Sequence, residues 1–170
     1  MDKIYIIGIA TTGKSSLAGY LSSQLQIPRY MLDDIVWERN PKGDRKRTEQ
    51  EQQSLLLEID QNPQWIIEGT YRKSCHCLLE MADVILVMQT PLWKRRMRML
   101  SRFLKYNAKL ERHRPNIQIL KNMHQWTREF EHNKESFYRT FQPYWKKVKV
   151  VSDIKQLDAW LKSERIWEHT

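Results

Sequence analysis

Gly8-Ile9-Ala10-Thr11-Thr12-Gly13-Lys14-Ser15 carries the most specific chemistry in this chain. The run satisfies G-x-x-x-x-G-K-[ST] at every fixed position. A glycine leaves an extended segment, the following amides curl inward, and a helix begins at once with its dipole facing the enclosed anion. Lys14 is placed to reach the β- and γ-phosphates of a nucleotide. The Ser15 hydroxyl suits a hard cation such as Mg²⁺. Gly8 through Ser16 are therefore the expected nucleotide contacts.

Elements must hold that loop in place. Lys3–Gly8 reads as a buried strand, β-branched and aromatic, and Gly13–Leu25 as a helix. Pro28–Asp33 reads as a second strand, followed by a polar loop over Glu38–Arg47. Thr48-Glu49-Gln50-Glu51 has capping-box spacing and should open a helix to about Gln61. Trp65–Gly69 is a third strand, Arg72–Met81 a short helix and Asp83–Met88 a fourth strand.

A helix is expected over Leu92–Lys105. Trp93, Met97, Leu100 and Leu104 form one stripe on it, and Arg95, Arg98 and Arg102 another. Arg114-Pro115 interrupts the pattern. Helix then runs to about Phe141, Lys147–Val151 is a fifth strand, and Ile154–Trp167 a closing helix. Strictly alternating strands and helices argue for a parallel sheet covered on both faces. No repeat or linker breaks the 170 residues, so one domain over 1–170 is expected.

The chain carries a net charge of +9, concentrated in one stretch. Residues 94–149 hold 16 Lys and Arg against 4 Asp and Glu, a net +12, while 1–93 and 150–170 are each slightly acidic. Such a block attracts polyanions or simply keeps a helical surface solvated. No run approaches the roughly 18 apolar residues of a membrane span, and no signal segment is apparent. Two cysteines are too few for a disulfide framework. A cytoplasmic protein is the expectation. Cys75-His76-Cys77 is too crowded for a zinc site and lacks a second cluster. Trp126, Phe130, Phe137, Tyr138 and Trp145 are expected to pack in the core, and Arg95 and Arg96 to be ordinary surface.

The sequence resembles the FlaR-like proteins described as DNA topology modulation proteins, within the adenylate kinase and shikimate kinase group of P-loop kinases. The likeness is carried by Gly8–Ser15, Ile27-Pro-Arg-Tyr-Met-Leu-Asp33, Trp37, Trp65-Ile-Ile-Glu-Gly-Thr-Tyr71 and Ala82-Asp-Val-Ile-Leu. Arg98, Arg102 and Arg112-x-Arg114-Pro115 complete it. It spans residues 1–125 clearly and the remainder loosely. It implies a three-layer α/β P-loop fold with a five-stranded parallel sheet of order 2-3-1-4-5. An acceptor-covering segment over about 34–62 and a helical lid over about 103–125 would complete it. The sequence departs from such relatives at Ile9-Ala10-Thr11-Thr12, where they are glycine-rich, and at Gln89, where they tend to carry an acid. Thr11 should need a strained backbone if the loop geometry is kept.

By this resemblance, Asp33 at the end of the second strand would orient or deprotonate an acceptor hydroxyl, or hold a metal-bound water; capping the next segment is the alternative. Glu68 could meet Mg²⁺ or the acceptor, and Gly69 would let backbone approach the acceptor closely. Trp37 and Tyr71 would line the acceptor pocket. Arg98 and Arg102 share a helix face, one for the adenine and one for the phosphates. Arg112 and Arg114 fall where a lid would close, and a guanidinium grips a phosphoryl group with two parallel bonds.

The expected activity is ATP- and Mg²⁺-dependent phosphoryl transfer to a nucleoside, a nucleotide or another hydroxylated metabolite. Lys14, Asp33, Arg98, Arg102 and Arg114 are the catalytic candidates. The alternatives are a nucleic-acid-associated accessory protein using the basic 94–149 segment and a nucleotide-gated regulator. Against the former, no helix-turn-helix, zinc finger or RNA-recognition motif is present.

Overall fold

The computed structural model describes residues 1–109 and 134–163, with side chains for 1–101, 135 and 137–163. Five parallel strands form the central sheet: β1 (Lys3–Ile7), β2 (Arg29–Met31), β5 (Trp65–Gly69), β6 (Val84–Met88) and β7 (Val148–Val151). Their order is β2-β5-β1-β6-β7, which is the expected 2-3-1-4-5 once the strands of a separate hairpin are set aside. Every pairing in this sheet is parallel, with Tyr5 opposite Ile67 on one side and Ile85 on the other.

Alternation along the strands divides the core. Tyr5, Ile7, Trp65, Ile67, Ile85 and Val87 face one layer. Ile4, Ile6, Ile66, Leu86 and Met88 face the other, where α1 (Lys14–Leu25) and α7 (Ile154–Ser163) supply Leu17, Leu21, Leu157 and Leu161. The first layer is closed by α2 (Leu32–Val36), α3 (Glu49–Asp60), α4 (Leu78–Met81) and α6 (Lys134–Thr140). Both sheet faces are thus buried, as the strands' continuous apolar runs require.

Local chemistry fixes the ends. Thr48 accepts from the Glu51 amide while the Glu51 carboxylate accepts from the Thr48 amide, so the expected capping box opens α3. Asp60 in its last turn accepts from Lys3 Nζ at 2.7 Å and from Trp65 Nε1 at 3.0 Å, which ties α3 to β1 and β5. No described helix is long and apolar enough to cross a membrane.

Four local expectations need correction. The second strand ends at Met31, and Asp33 lies in the first turn of α2. The polar stretch after it is a hairpin, β3 (Trp37–Glu38) against β4 (Arg45–Lys46), because Asn40 and Gly43 make a turn there. The stretch expected as one short helix is a 3₁₀ turn over Lys73–Cys75 followed by α4. Trp145 is 55% exposed, since it lies in the 3₁₀ turn after Pro143 begins to redirect the chain; Phe137 and Tyr138 do pack against the core.

The largest departure concerns α5 (Leu92–Lys109). Its apolar stripe points outward, with Trp93 64% and Met97 61% exposed, while Arg95 is only 3% exposed. Arg95 is therefore buried and not ordinary surface. The face turned inward carries Arg98 onto the Thr12 carbonyl of the loop after β1 and sets Arg95 beside Gly8, Thr12 and Thr90.

Candidate active site at the carboxyl edge of the sheet

The loop after β1 is held from several sides. The Gly8 amide donates to the Gly69 carbonyl at 3.3 Å, and Thr70 Oγ1 donates to the Gly8 carbonyl at 3.2 Å. The Ile9 carbonyl accepts from Thr12 Oγ1 and from Lys14 Nζ, each at 2.9 Å. Thr11 has φ 65°, the left-handed conformation anticipated for it, and Gly13 has φ 100°. Gly13 precedes α1, which carries no side-chain cap, so no side chain of Gly13 competes for the helix's first amides.

Arg98 crosses this loop. Its Nη1 donates to the Thr12 carbonyl at 2.5 Å and lies within 3.4 Å of the Thr11 carbonyl. Thr90 Oγ1 donates to the same Thr12 carbonyl at 2.8 Å. A β-carbon on Gly13 would lie 2.9 Å from Arg98 Nη1, so glycine there serves both the backbone conformation and this approach.

The Ser15 hydroxyl donates to Glu68 Oε1 at 2.6 Å. Glu68 is the next-to-last residue of β5, beside the loop, and is only 4% exposed. A hydroxyl and a carboxylate held this close form a hard, oxygen-only donor pair, which fits Mg²⁺. The two residues lie 53 positions apart, and the parallel pairing of β1 with β5 brings them together.

Next to them, Arg72 Nη2 donates to Asp33 Oδ1 at 3.0 Å. Asp33 stands two residues after Met31, which is paired with Glu68 in the sheet. Asp33 and Glu68 thus belong to one edge, although α2 and not the strand carries Asp33.

Three expected acceptor contacts are placed differently. Gly69 lacks a side chain because Leu32 fills that space; a β-carbon there would overlap Leu32 Cβ. Its bareness therefore serves packing between β5 and α2. The Tyr71 hydroxyl is engaged with His76 Nδ1 at 2.9 Å and its ring packs edge-on against Phe141. Burial raises its pKa. Trp37 packs part-buried against the core. The side chain of Arg102, and Arg112 and Arg114 entirely, lie outside the described residues, as does the expected lid beyond Lys109.

Two clefts flank the loop. One of about 580 Å³ is bounded by Thr11, Gly13, Ser16, Arg98, Asp153 and Lys155. Ser16 and Arg98 were expected at a nucleotide; Lys94, Asp153, Ile154 and Lys155 on this cleft were not. The signal was present in the turn from the fifth strand into the last helix, since such turns lie at the same carboxyl edge. Asp153 Oδ1 accepts from the Gln156 amide at 3.1 Å, which lowers its pKa and starts α7. A second cleft of about 240 Å³ lies among Gly8, Thr12, Gln89, Thr90, Arg95 and Tyr138.

Burial raises the pKa of Cys75 and of Cys77, which argues against a thiolate nucleophile. Among the described residues no His, Cys, Asp and Glu cluster could hold a metal as a set of three.

No protein-family model and no curated protein matches the sequence. Solved structures do. Shikimate kinase from Acinetobacter baumannii in complex with shikimate is similar with a TM-score of 0.56 and 12% identity, over 98% of this chain and 92% of that one. Shikimate kinase from Bacteroides thetaiotaomicron gives 0.54 and 12%, over 98% of each chain. An uncharacterized protein from Eubacterium ventriosum gives 0.54 and 14%, over 96% and 98%. At such identities the likeness is one of architecture, and this chain has the P-loop kinase fold found in shikimate kinase.

Proposed function

We propose that this chain is an ATP-dependent kinase that moves the γ-phosphoryl group to a hydroxyl of a small molecule. One observation carries the reading: Ser15 Oγ rests 2.6 Å from Glu68 Oε1, beside a loop on which Lys14 meets the Ile9 carbonyl and Arg98 the Thr12 carbonyl. A structural turn has no need of a buried carboxylate there.

The 580 Å³ cleft next to Arg98 and Ser16 takes the nucleoside end. The amides of Gly8–Ser16 wrap the phosphates, and Lys14 exchanges the Ile9 carbonyl for phosphate oxygen. Ser15 and Glu68 would hold Mg²⁺, which would supply positive charge to neutralise the phosphates. Asp33 accepts the acceptor's hydroxyl proton as the acceptor oxygen bonds to the γ-phosphorus and the bond to the β-phosphate oxygen breaks. Segment 34–62 covers the acceptor. Arg98 stabilises charge developing during transfer, aided by Arg102 and Arg114. The FlaR-like resemblance adds no acceptor to this reading.

The test is ATP consumption with nucleosides, nucleotides and hydroxylated metabolites, alongside calorimetry of MgATP. Turnover that disappears in Lys14→Ala supports the proposal. Well-folded protein that takes up neither MgATP nor MgGTP refutes it.

A further inference from the structure

One side of α5 is fixed to the body of the protein. Arg95 is 3% and Met99 7% exposed there, and Arg98 donates to the Thr12 carbonyl at 2.5 Å. The opposite side carries Trp93, Met97 and Leu100, at 64%, 61% and 47% exposure. Residues spaced i, i+4 and i+7 share a helix face, so these three form one ridge about 10 Å long. An indole, a thioether and an isobutyl group side by side in water mark a surface that a partner covers.

Positive charge borders the ridge. Arg96 is exposed on one flank. Lys94 lies on the other, 38% exposed, with Nζ 5.7 Å from the centre of the Trp93 ring. From Leu92 to Lys109 the chain has seven Lys and Arg and no Asp or Glu.

These features select among occupants. A second copy laid on the ridge would bring like charges together. A nucleic acid is held by cations on its phosphates, but Arg95 and Arg98 face the protein and the ridge itself offers phosphate nothing. A helical peptide is gripped in a groove, whereas neither cleft beside the phosphate loop is lined by Trp93, Met97 or Leu100. A bilayer surface takes a projecting apolar ridge into its acyl boundary and sets anionic headgroups against the flanking cations. No described helix is long and apolar enough to cross a membrane, so the contact is peripheral.

We propose that α5 is a peripheral docking surface for an anionic bilayer, entered by Trp93, Met97 and Leu100, with Lys94 and Arg96 against the headgroups. The apolar face already points outward, so docking needs no rolling of the helix and leaves Arg98 on the Thr12 carbonyl. The inference is independent of the kinase reading.

The experiment is flotation of the full chain with vesicles of phosphatidylcholine alone and with vesicles containing about one-third phosphatidylserine. The mixed vesicles should be bound about 10-fold more tightly or better, and high salt should remove the difference. Trp93→Ala should weaken that binding about 10-fold, the scale of one large apolar side chain withdrawn from water. Met97→Glu, which places an anion on the ridge, should abolish it. Both positions are exposed, so circular dichroism should match the unaltered protein; if Met97→Glu misfolds, Trp93→Ala decides. Brominated acyl chains should quench tryptophan fluorescence in the unaltered protein and less in Trp93→Phe.

Absence of flotation with the mixed vesicles overturns the proposal. So does equal binding to neutral vesicles, or binding that Trp93→Ala leaves undiminished. Sedimentation velocity and titration with duplex DNA test the rival occupants. A dimer or a DNA complex that Trp93→Ala weakens, without vesicle binding, assigns the ridge to that partner and sinks the membrane reading. Calorimetry with MgATP reports on the phosphate loop separately.

Discussion

Ser15 and Glu68 share a hydrogen bond of 2.6 Å between the first turn of α1 and the last rungs of β5. The carboxylate is buried at 4% exposure and Ser15 is its neighbour at the edge of the sheet. Exchanging Glu68 for glutamine keeps size and an acceptor oxygen for Ser15 while removing the charge. Glu68→Gln should fold normally and bind ATP in the absence of metal. Turnover should fall by about 100-fold or more, as when a charge-stabilising group is removed. Calorimetry with and without Mg²⁺, beside a rate assay, checks this; an unaltered rate would remove Glu68 from the chemistry.

Thr11 combines φ 65° with a buried hydroxyl that has no partner among the described residues. A β-branched residue in that conformation costs about 1–2 kcal/mol. Thr11→Gly relieves it, offset by the larger backbone entropy of glycine in the unfolded chain, about 0.5–1 kcal/mol. The expected outcome is a net gain of about 1 kcal/mol in urea unfolding. A loss would mean that the Thr11 side chain contributes packing that outweighs the strain.

Gly69 and Leu32 test the packing explanation against the ligand explanation. Gly69→Ala forces a β-carbon into Leu32, between β5 and α2. Overpacking of this kind costs about 1–3 kcal/mol. Urea unfolding should show that loss in the absence of any ligand. Normal stability with weakened acceptor binding would return Gly69 to the acceptor pocket.

Glu51 supplies a pH signature. Its hydrogen bonds to Arg45 first, and then to the Thr48 amide, hold its pKa down from the ordinary 4.5 to about 2. A depressed carboxylate contributes stability that is present above its unfolded value and is lost as pH falls toward the folded one. Melting temperature should therefore decline between pH 4.5 and 2 more steeply in the unaltered protein than in Glu51→Gln. Parallel curves would show that the exposed cap adds nothing measurable. Thr48→Ala removes the other half of the capping box and should cost about 1 kcal/mol at neutral pH.

Local pattern was enough for much of the architecture. The β1 run Lys3–Ile7, the capping box at Thr48, and the glycine, lysine and serine of the loop each state a backbone requirement within a few residues. Such requirements are satisfied the same way wherever the segment is placed. Alternation of strands and helices then restricted the sheet to a parallel, doubly covered one. Even the strain at Thr11 could be anticipated, because it follows from fitting a side chain where the loop wants glycine.

What remained open were matters settled between distant segments. Arg95 and Trp93 lie on one helix, and its periodicity alone would bury the tryptophan; the helix instead turns Arg95 inward and leaves Trp93 exposed, while Arg98 on the same helix meets the Thr12 carbonyl. The packing of Leu32 into the space beside Gly69 was likewise invisible in the sequence. The meetings of Ser15 with Glu68 and of Asp33 with Arg72 join residues 53 and 39 positions apart. Spacing along the chain contains no such distances, since they depend on which strands are neighbours and on how each helix is rotated against the sheet. The sequence by itself determined the phosphate cradle and the alternating frame; tertiary packing decided which charges face it, because burying a charge is tolerable only where a partner already waits.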